Sequence, residues 1–368
     1  MITPLRGGEI SIPDLATTDP DYFTRAQVGA TRDVLALVPA TILLEGRDRL
    51  IRMPLAIQAD DVRAAAERIR PLARKTPVLT SAGFDTEAGT RVFFKCENLQ
   101  RGGAFKIRGA SNLVLSLARE LLCRGVVAYS SGNHAQATAI AAKYVGVRST
   151  IVMPEDAPQS KMEATRAHGA RIITYNRFKD SREAIAQSIL KETGATLVPP
   201  FDHPMIMAGQ GTAAMELLDE TGPLDALITP VGGGGLLAGC ATIAKAQHPG
   251  IRVFGAEPES ANDTFLSMLA GKRISVHPDT IADGLRAPKP GELTFPVMQQ
   301  LVERILLVSE DEIRAAVKFV LLRLKILVEP SGAVPVAAVL FRKLPPGIQS
   351  VGVIISGGNV DFADLAKM

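Results

Sequence analysis

The chain has 368 residues, of which 46% are hydrophobic, so it is long enough for two domains and apolar enough to bury a large core. Its 41 basic and 38 acidic side chains leave a net charge of +3, and no run of basic residues stands out, which argues against a nucleic acid as partner. The three cysteines, Cys96, Cys123 and Cys240, are far apart and lack metal-ligand spacing, so they indicate a reducing compartment and we expect a cytoplasmic protein.

Residues 1–52 differ in pattern from the rest of the chain. They contain the turn-rich SIPDLATTDPD and the apolar LALVPATILL, which at ten residues is too short for the about twenty that span a bilayer. This stretch also lacks the basic start and the cleavage site of a secretory signal. We therefore predict a loosely structured extension and no membrane partner. The pattern changes at Met53, after which Asp60 or Asp61 is expected to cap a helix.

From residue 91 onward, short β-branched segments alternate with helical patterns. The predicted strands are RVFFKCE, GVVAYS, STIVMP, ARIITY, ATLVP, DALITPV, IRVFGAE and SVGVIIS. Helices are predicted over residues 106–122, over about 133–144, and in QSKMEATRAHG and DSREAIAQSILKETG. This alternation predicts an α/β protein with mostly parallel sheets and helices on both faces. In such proteins the ligand lies beyond the carboxyl ends of the strands.

One lysine has unusual neighbours. In AFKIRG, residues 104–109, Lys106 lies between Phe105 and Ile107. Its stem could pack at the edge of a helix while the ammonium stays in water. Alternatively, partial desolvation lowers its pKa and provides an amine that attacks a carbonyl. These six residues alone leave both interpretations open.

Three polar or glycine-rich loops directly follow predicted strands. They are SSGNH at 130–134, PVGGGGLLAG at 230–239 and ISGGN at 355–359. Four consecutive glycines before a helix allow several backbone amides to converge on one anion, which predicts a phosphate site. It is not a Walker loop, because no lysine and serine or threonine pair follows. SSGNH alone is explained equally well as a capping turn. A phosphate site near an apolar-flanked lysine suggests a phosphorylated aldehyde cofactor held as a Schiff base.

The ordered motifs are specific to one family. The set FFKCENLQRGGAFKIRGA, SSGNHAQA, AGQGT, PVGGGGLLAG, TIADGL, EPSGA and ISGGN resembles the pyridoxal-phosphate enzymes of the tryptophan-synthase β fold type. Within these it resembles the threonine/serine dehydratase and serine racemase group, from about residue 55 to 363. The resemblance implies two open, twisted sheets and a homodimer. It also implies a large cofactor-binding domain, residues 53–124 and 201–368, and a small mobile domain, residues 125–200.

The resemblance also implies roles for individual residues. Lys106 would carry the cofactor and then act as base toward the substrate's α-proton. Asn133 would bind the ring hydroxyl and Ser356 the pyridine nitrogen, with Phe105 and Glu329 beside the cofactor. The phosphate would be held by the amides of Gly232, Gly233, Gly234, Gly235 and Leu236. The substrate carboxylate would be received by Ser130, Ser131, Gly132, Asn133 and His134.

The implied reaction is elimination of water from L-threonine or L-serine, which gives a 2-oxo acid and ammonia. Serine racemase stays an alternative, because Ser131 would supply a second acid on the face of the cofactor opposite Lys106. Phe201, in PPFDHP, favours the dehydratase over the racemase. A 3-hydroxyaspartate dehydratase is the other alternative. It needs a cation for the distal carboxylate, for which the candidates are Arg108, Arg182 and Arg286.

GAEPESAND contains a candidate cation site. Glu257, the backbone carbonyl of Ala261, and Asp263 have the spacing of the divalent-cation site of serine racemases. Oxygen ligands of this kind suit Mg²⁺, Mn²⁺ or Ca²⁺. The alternative is a strand-end glutamate and a helix-capping aspartate.

Two other functions are compatible with cofactor binding. A pyridoxal-phosphate carrier without turnover is disfavoured by the intact Lys106 and the complete SSGNH loop. Cysteine-synthase-type replacement is disfavoured because its lysine and asparagine loops differ from AFKIRG and SSGNH.

Overall fold

The computed structural model describes residues 54–368, so the extension predicted for residues 1–52 lies outside the described part. Ten strands in that part form two sheets. The strands are β1 Val78–Leu79, β2 Arg91–Cys96, β3 Val126–Tyr129, β4 Ser149–Pro154, β5 Arg171–Tyr175, β6 Thr196–Leu197, β7 Ala226–Pro230, β8 Arg252–Pro258, β9 Arg304–Val308 and β10 Ser350–Ile355. All pairings except that of β1 with β2 are parallel, which confirms the predicted fold class.

The larger sheet has the order β1-β2-β10-β7-β8-β9. β10 comes late in the chain but lies between β2 and β7, and Gly352 pairs with Phe93 on one side and with Leu227 on the other. Five of the six residues of β10 and all five of β7 are buried, as expected for central strands covered by helices on both faces. The β-branched and aliphatic composition of these strands follows from that double burial.

The smaller sheet has the order β5-β4-β3-β6 and is entirely parallel. Its strands lie within residues 125–200, whereas the larger sheet takes its strands from 78–96 and 226–355. The expected domain limits, residues 53–124 with 201–368 and residues 125–200, stay a prediction. Independent movement of the smaller sheet stays a prediction.

The described range contains fourteen α-helices, of which the first precedes β1 and the last follows β10. They are α1 Ala59–Ile69, α2 Ala82–Ala88, α3 Lys106–Ser116, α4 Arg119–Leu122, α5 Asn133–Val145, α6 Gln159–Ala167, α7 Arg182–Thr193, α8 Pro204–Thr221, α9 Gly235–Gln247, α10 Asp263–Ala270, α11 Thr294–Leu301, α12 Glu310–Phe319, α13 Pro330–Leu340 and α14 Phe362–Leu365. Within residues 54–368 none of them has both the length and the apolar character needed to cross a bilayer.

Two helix boundaries differ from those predicted. The helix expected over residues 106–122 ends at Ser116, whose hydroxyl donates to the carbonyl of Leu113, and Leu117 is extended with ψ 139°. The N-cap of α1 is Gln58, and Asp61 instead accepts the Gln58 amide from the first turn, at 2.7 Å. Strands β1 and β9 were not predicted, because the first has only two residues and the second is one short apolar run between helices.

Helices α8 and α9 cross at glycines on one face of the larger sheet. A Cβ at Gly239 would lie 2.1 Å from the carbonyl oxygen of Met207 and 2.7 Å from the amide of Gly211. The two backbones therefore touch, and no larger side chain fits between them without moving one helix. This contact gives a structural reason for the glycines of AGQGT and GLLAG, and it fixes the start of α9 next to the strand ends.

Candidate active site

A cavity of about 770 Å³ lies at the carboxyl ends of strands from both sheets. Its lining includes loops that follow β3, β4, β7 and β10. Residues predicted for the site from distant parts of the sequence meet there, including Lys106, Ser131, Asn133, Gly233, Glu329 and Ser356. This is the position expected for a ligand of an open parallel sheet.

Lys106 is the first residue of α3 and is held by the end of β10. The amide of Phe105 donates to the carbonyl of Ser356 at 3.0 Å, and Ala104 pairs with Gly357 in an antiparallel bridge. The Lys106 ammonium donates to the carbonyl of Pro200 at 2.7 Å. Burial lowers the pKa of Lys106 to about 8, although the nearby Glu329 acts to raise it. The amine is therefore neutral far more often near pH 8 than that of an exposed lysine.

The glycine loop, residues 232–236, joins β7 to α9. Gly234 has φ +89°, in the left-handed region that favours glycine. A Cβ at Gly233 would lie 2.4 Å from the ring of Phe201, and one at Gly234 would lie 2.6 Å from Met298. The first amides of α9 have no partner within the helix. A curled backbone of this kind at a helix N-terminus fits a phosphate group.

The serine loop, residues 130–134, joins β3 to α5. Ser131 is exposed and lines the cavity, whereas the hydroxyl of Ser130 accepts the amide of Gly132 at 3.2 Å. The His134 ring is buried, and its Nε2 donates to the carbonyl of Val198 at 2.8 Å. Burial, with a contribution from Lys106, lowers the pKa of His134 to about 3, so the ring is neutral. What His134 can offer a ligand is its backbone amide at the start of the helix.

A partly buried network of hydrogen bonds connects three of the loops around the cavity. Asn133 Nδ2 donates to Glu329 Oε1 at 2.8 Å, and the Asn359 amide donates to Glu329 Oε2 at 3.1 Å. Asn359 Nδ2 donates to Asn133 Oδ1 at 2.8 Å. Burial, with a contribution from Asp283, raises the pKa of Glu329 to about 8. Asn359 was not singled out from the sequence, although the ISGGN motif contains it.

Glu257 and Asp263 are both fully buried in the described structure. Glu257 is the last residue but one of β8 and accepts the amides of Thr264 and Phe265 at 3.1 and 2.9 Å. Neither carboxylate oxygen of Asp263 has a hydrogen-bond partner. Burial raises the pKa of Asp263 to about 7, and burial together with Asp263 raises that of Glu257. The unpaired carboxylate of Asp263 beside the carboxylate of Glu257, whose oxygens already accept two amides, fits a divalent cation.

Glu257 and Asp263 alone provide too few ligands for a metal ion. Residues 54–368 contain no cluster of three or more His, Cys, Asp or Glu side chains that could hold a metal ion. A cation between Glu257 and Asp263 would therefore need the carbonyl of Ala261 and water molecules to complete its shell.

The three arginine candidates have different positions. Arg108 is fully buried between Glu97 and Glu216, at 2.7 Å from each, and does not line the cavity. Arg286 lines the cavity and donates to the carbonyl of Thr280. Arg182 also lines the cavity, with its guanidinium 5.2 Å from the ring centre of Tyr129. Arg108 is therefore excluded as a cavity cation.

Comparisons with known proteins agree with this geometry. The model of the pyridoxal-phosphate dependent enzyme family matches residues 69–357. The L-threo-3-hydroxyaspartate ammonia-lyase of Saccharomyces cerevisiae is 47% identical over 309 residues, covering 84% of this chain and 95% of that protein. The serine racemase of Schizosaccharomyces pombe is 48% identical over 304 residues, covering 82% and 94%.

A solved structure leads to the same group. Maize serine racemase superposes with a TM-score of 0.82 at 43% identity, covering 85% of this chain and 96% of that one. The L-threonine ammonia-lyase of Geobacter sulfurreducens is 44% identical over 306 residues, covering 83% of this chain and 76% of that protein. The chain therefore belongs to the family of pyridoxal-phosphate-dependent enzymes, in the group that contains ammonia-lyases and racemases.

Proposed function

We propose that this protein is an ammonia-lyase for 3-hydroxy amino acids and that L-threo-3-hydroxyaspartate is its best substrate. The observation that carries the proposal is that one cavity is lined both by Lys106, whose pKa is lowered, and by Arg182, whose terminal nitrogens are available to a ligand. The sequence favoured L-threonine and L-serine. We place hydroxyaspartate first because Arg182 offers a cation that those two substrates do not use.

The acid–base chemistry rests on Lys106. When bound, pyridoxal phosphate withdraws electrons from the substrate's Cα and makes its proton acidic. The Lys106 amine takes that proton, and the bond from Cβ to the hydroxyl breaks, so that water leaves with a proton from the site. Hydrolysis of the resulting enamine gives ammonia and a 2-oxo acid, which for hydroxyaspartate is oxaloacetate.

The remaining site residues have roles in holding the cofactor and the substrate. The amides of the glycine loop bind the phosphate, and Asn133 and Ser356 bind the ring, with Phe105 and Glu329 beside it. The serine loop receives the α-carboxylate through the amides that begin α5. A divalent cation between Glu257, the Ala261 carbonyl and Asp263 has a structural role.

Arg182 is the cation best suited to a distal carboxylate. Its Nε donates to Glu183 at 2.8 Å, and its side chain is 41% exposed, so terminal nitrogens remain for a ligand. The guanidinium carbon lies 5.2 Å from the ring centre of Tyr129, within the range of a cation–π interaction. Arg177 lines the same cavity, but its Nε and one terminal nitrogen both donate to Asp156.

The test compares release of ammonia and 2-oxo acid from L-threonine, L-serine and L-threo-3-hydroxyaspartate. Absence of release from all three would show that the ammonia-lyase proposal is wrong. In Arg182→Gln, kcat/KM for hydroxyaspartate should fall about 10- to 100-fold, as for loss of a charged hydrogen bond, and that for L-serine by less than about threefold. Arg177→Gln is the matched control and should leave the ratio of the two substrates unchanged. Equal losses for both substrates in Arg182→Gln would contradict the assignment of the distal-carboxylate site.

Serine racemase is the second candidate, and Ser131 favours it. Its hydroxyl is exposed in the cavity, in the loop that the resemblance places opposite Lys106. Chiral chromatography of residual L-serine, run beside the 2-oxo acid assay, compares the two activities. Formation of D-serine faster than pyruvate would favour the racemase.

A further inference from the structure

The carbonyl of Gly233 is held from behind the glycine loop. The hydroxyl of Thr294 donates to it at 2.7 Å and the amide of Gly291 at 3.2 Å. Thr294 is fully buried and does not line the cavity, whereas Gly233 and Gly234 do. In a trans peptide the carbonyl and the following N–H point in opposite directions. With the Gly233 carbonyl directed to Thr294, the Gly234 N–H is directed to the other side of the loop, where the cavity lies.

The backbone freedom of glycine allows the Gly233–Gly234 peptide a second orientation. Common β-turns of types I and II differ by a flip of one peptide, with φ of about −90° in one and about +80° in the other at the following residue. Gly234 has φ +89° and corresponds to the second form. Because Gly233 and Gly234 both lack a Cβ, glycine's backbone freedom leaves the flipped form accessible as well. A flipped peptide would direct a carbonyl oxygen into the cavity and remove an amide donor from it.

The residues that hold Thr294 connect it to the rest of the site. Asp202 accepts the amides of Glu292 and Leu293 at 2.8 Å each, and it fixes the segment before α11. The adjacent Phe201 packs against Gly233 and Gly235. The hydrogen bonds from Thr294 and Gly291 and the packing of Phe201 thus all act on the peptide between Gly233 and Gly234.

We infer that Thr294 is a positioning residue for cofactor binding: its hydroxyl selects the orientation of the Gly233–Gly234 peptide that offers an N–H to the cofactor phosphate. The inference rests on the proposed role of the glycine loop. It requires the hydroxyl, not the bulk, of Thr294. It also predicts an effect confined to ligands that carry a phosphate.

The experiment measures dissociation constants of pyridoxal 5′-phosphate and of pyridoxal with full-length protein from which the cofactor has been removed. In wild type the phosphate ester should bind far more tightly than pyridoxal. In Thr294→Val, which keeps the shape and removes the donor, binding of the phosphate ester should weaken about tenfold while pyridoxal binding stays within twofold. Thr294→Ser should restore the wild-type ratio. Thr242→Val, which removes the hydroxyl of another buried threonine that bonds within α9, is the control and should have no effect on the ratio.

The outcomes separate the inference from the proposed function. An unchanged ratio in Thr294→Val, with a large ratio in wild type, overturns the role of Thr294 alone. A wild type without preference for the phosphate ester overturns the phosphate role of the loop and the inference with it. If Thr294→Val does not fold, Thr294→Cys replaces it as the test, because a thiol is a weaker donor than a hydroxyl. Its preference for pyridoxal phosphate over pyridoxal should then be smaller than that of wild type and Thr294→Ser without being lost, and an unchanged preference overturns the role of Thr294.

Discussion

Ser131 in the serine loop and Lys106 at the start of α3 both line the cavity. Elimination from an L-substrate needs a base on one face, whereas racemisation also needs an acid on the other. In the proposed mechanism Lys106 is the base and Ser131 the acid, so the two residues contribute differently to the two reactions. Their separate roles can be measured on one protein.

We predict that Ser131→Ala lowers D-serine formation by about a hundredfold or more, the usual effect of removing a general acid. Ammonia release from L-substrates should fall much less, because Lys106 takes the α-proton. Chiral chromatography and a 2-oxo acid assay on the same samples measure both. Ser116→Ala is the control, because the Ser116 hydroxyl donates to the carbonyl of Leu113 at the end of α3 and Ser116 does not line the cavity. Loss of L-elimination as complete as in Lys106→Ala would contradict the one-base mechanism.

The pKa of Lys106 predicts how fast the cofactor loads at each pH. Only the neutral amine attacks the aldehyde, so the loading rate should rise with pH up to about 8 and then level off, instead of rising toward 10.5. Stopped-flow absorbance after mixing the cofactor-free protein with pyridoxal phosphate measures it. In Glu329→Gln the midpoint should move lower, because the Glu329 charge acts to raise the pKa of Lys106. A midpoint near that of free lysine, or borohydride attachment to another residue, would show that the assignment is wrong.

Sequence motifs predicted the site residues in the loops that follow strands. The positions of the other site residues depend on contacts between distant parts of the chain, which the sequence does not show. The glycine loop was predictable because it directly follows a strand, and parallel strands place their following loops at one edge of a sheet. The residues around Lys106 left two interpretations open, and its role came from the family resemblance. Arg108 was a candidate cation only because its partners were unknown, and Glu216 lies 108 residues further along the chain. Thr294 carries no local signal, since its role depends on a contact with Gly233.

Among the elements, the alternation of strand and helix was predicted well, and the packing of helices was not. The crossing of α8 and α9 at Gly211 and Gly239 depends on two backbones that meet in space. The start of α10 is another such place, because Glu257 at the end of β8 accepts amides from its first turn. The spacing of Glu257 and Asp263 along the chain suggested that both carboxylates lie at one site. The burial that raises their pKa values is visible only in the structure.

We predict that Mg²⁺ or Mn²⁺ stabilises the protein through the junction of β8 and α10. At about a hundred times its dissociation constant a ligand adds about 2.7 kcal/mol to the free energy of unfolding, so the Tm should rise by a few degrees. A thermal melt with and without a chelator measures the shift. Asp263→Asn should abolish it, and Glu259→Gln, a change of an exposed acid in the same segment, should not. An equal shift in Asp263→Asn would place the cation elsewhere.

Over the whole molecule, side chains of α6 join the smaller sheet to loops next to the larger one. Lys161 forms an ion pair with Asp283, and the Ser160 hydroxyl donates to Asp361 Oδ1 at 2.7 Å. Lys161, Asp283 and Asp361 all line the cavity. These contacts join the two sheets across the cavity.

We predict that Lys161→Met raises KM by up to about fivefold, the size of a partly exposed ion pair, with cofactor affinity unchanged. Without the ion pair, the arrangement in which the two sheets are joined across the cavity should be less populated. Substrate binding must then provide the free energy that restores it. Steady-state kinetics and cofactor titration measure the two quantities. Lys179→Met, a change of an exposed lysine in the same part of the chain, is the control. A fall in cofactor affinity equal to the rise in KM would contradict this explanation.

The position of β10 has a consequence for how the protein is made. β2 and β7 leave the ribosome long before the strand that pairs between them, and at about 5–20 residues per second the delay after β7 is on the order of ten seconds. During that time both strands present unpaired edges, which are targets for chaperones and for aggregation. Ser356 and Gly357, which hold the Lys106 segment, are synthesised later still. The nascent chain therefore has no complete cofactor site. A shortage of pyridoxal phosphate should leave translation and early folding unchanged and affect only the completed protein.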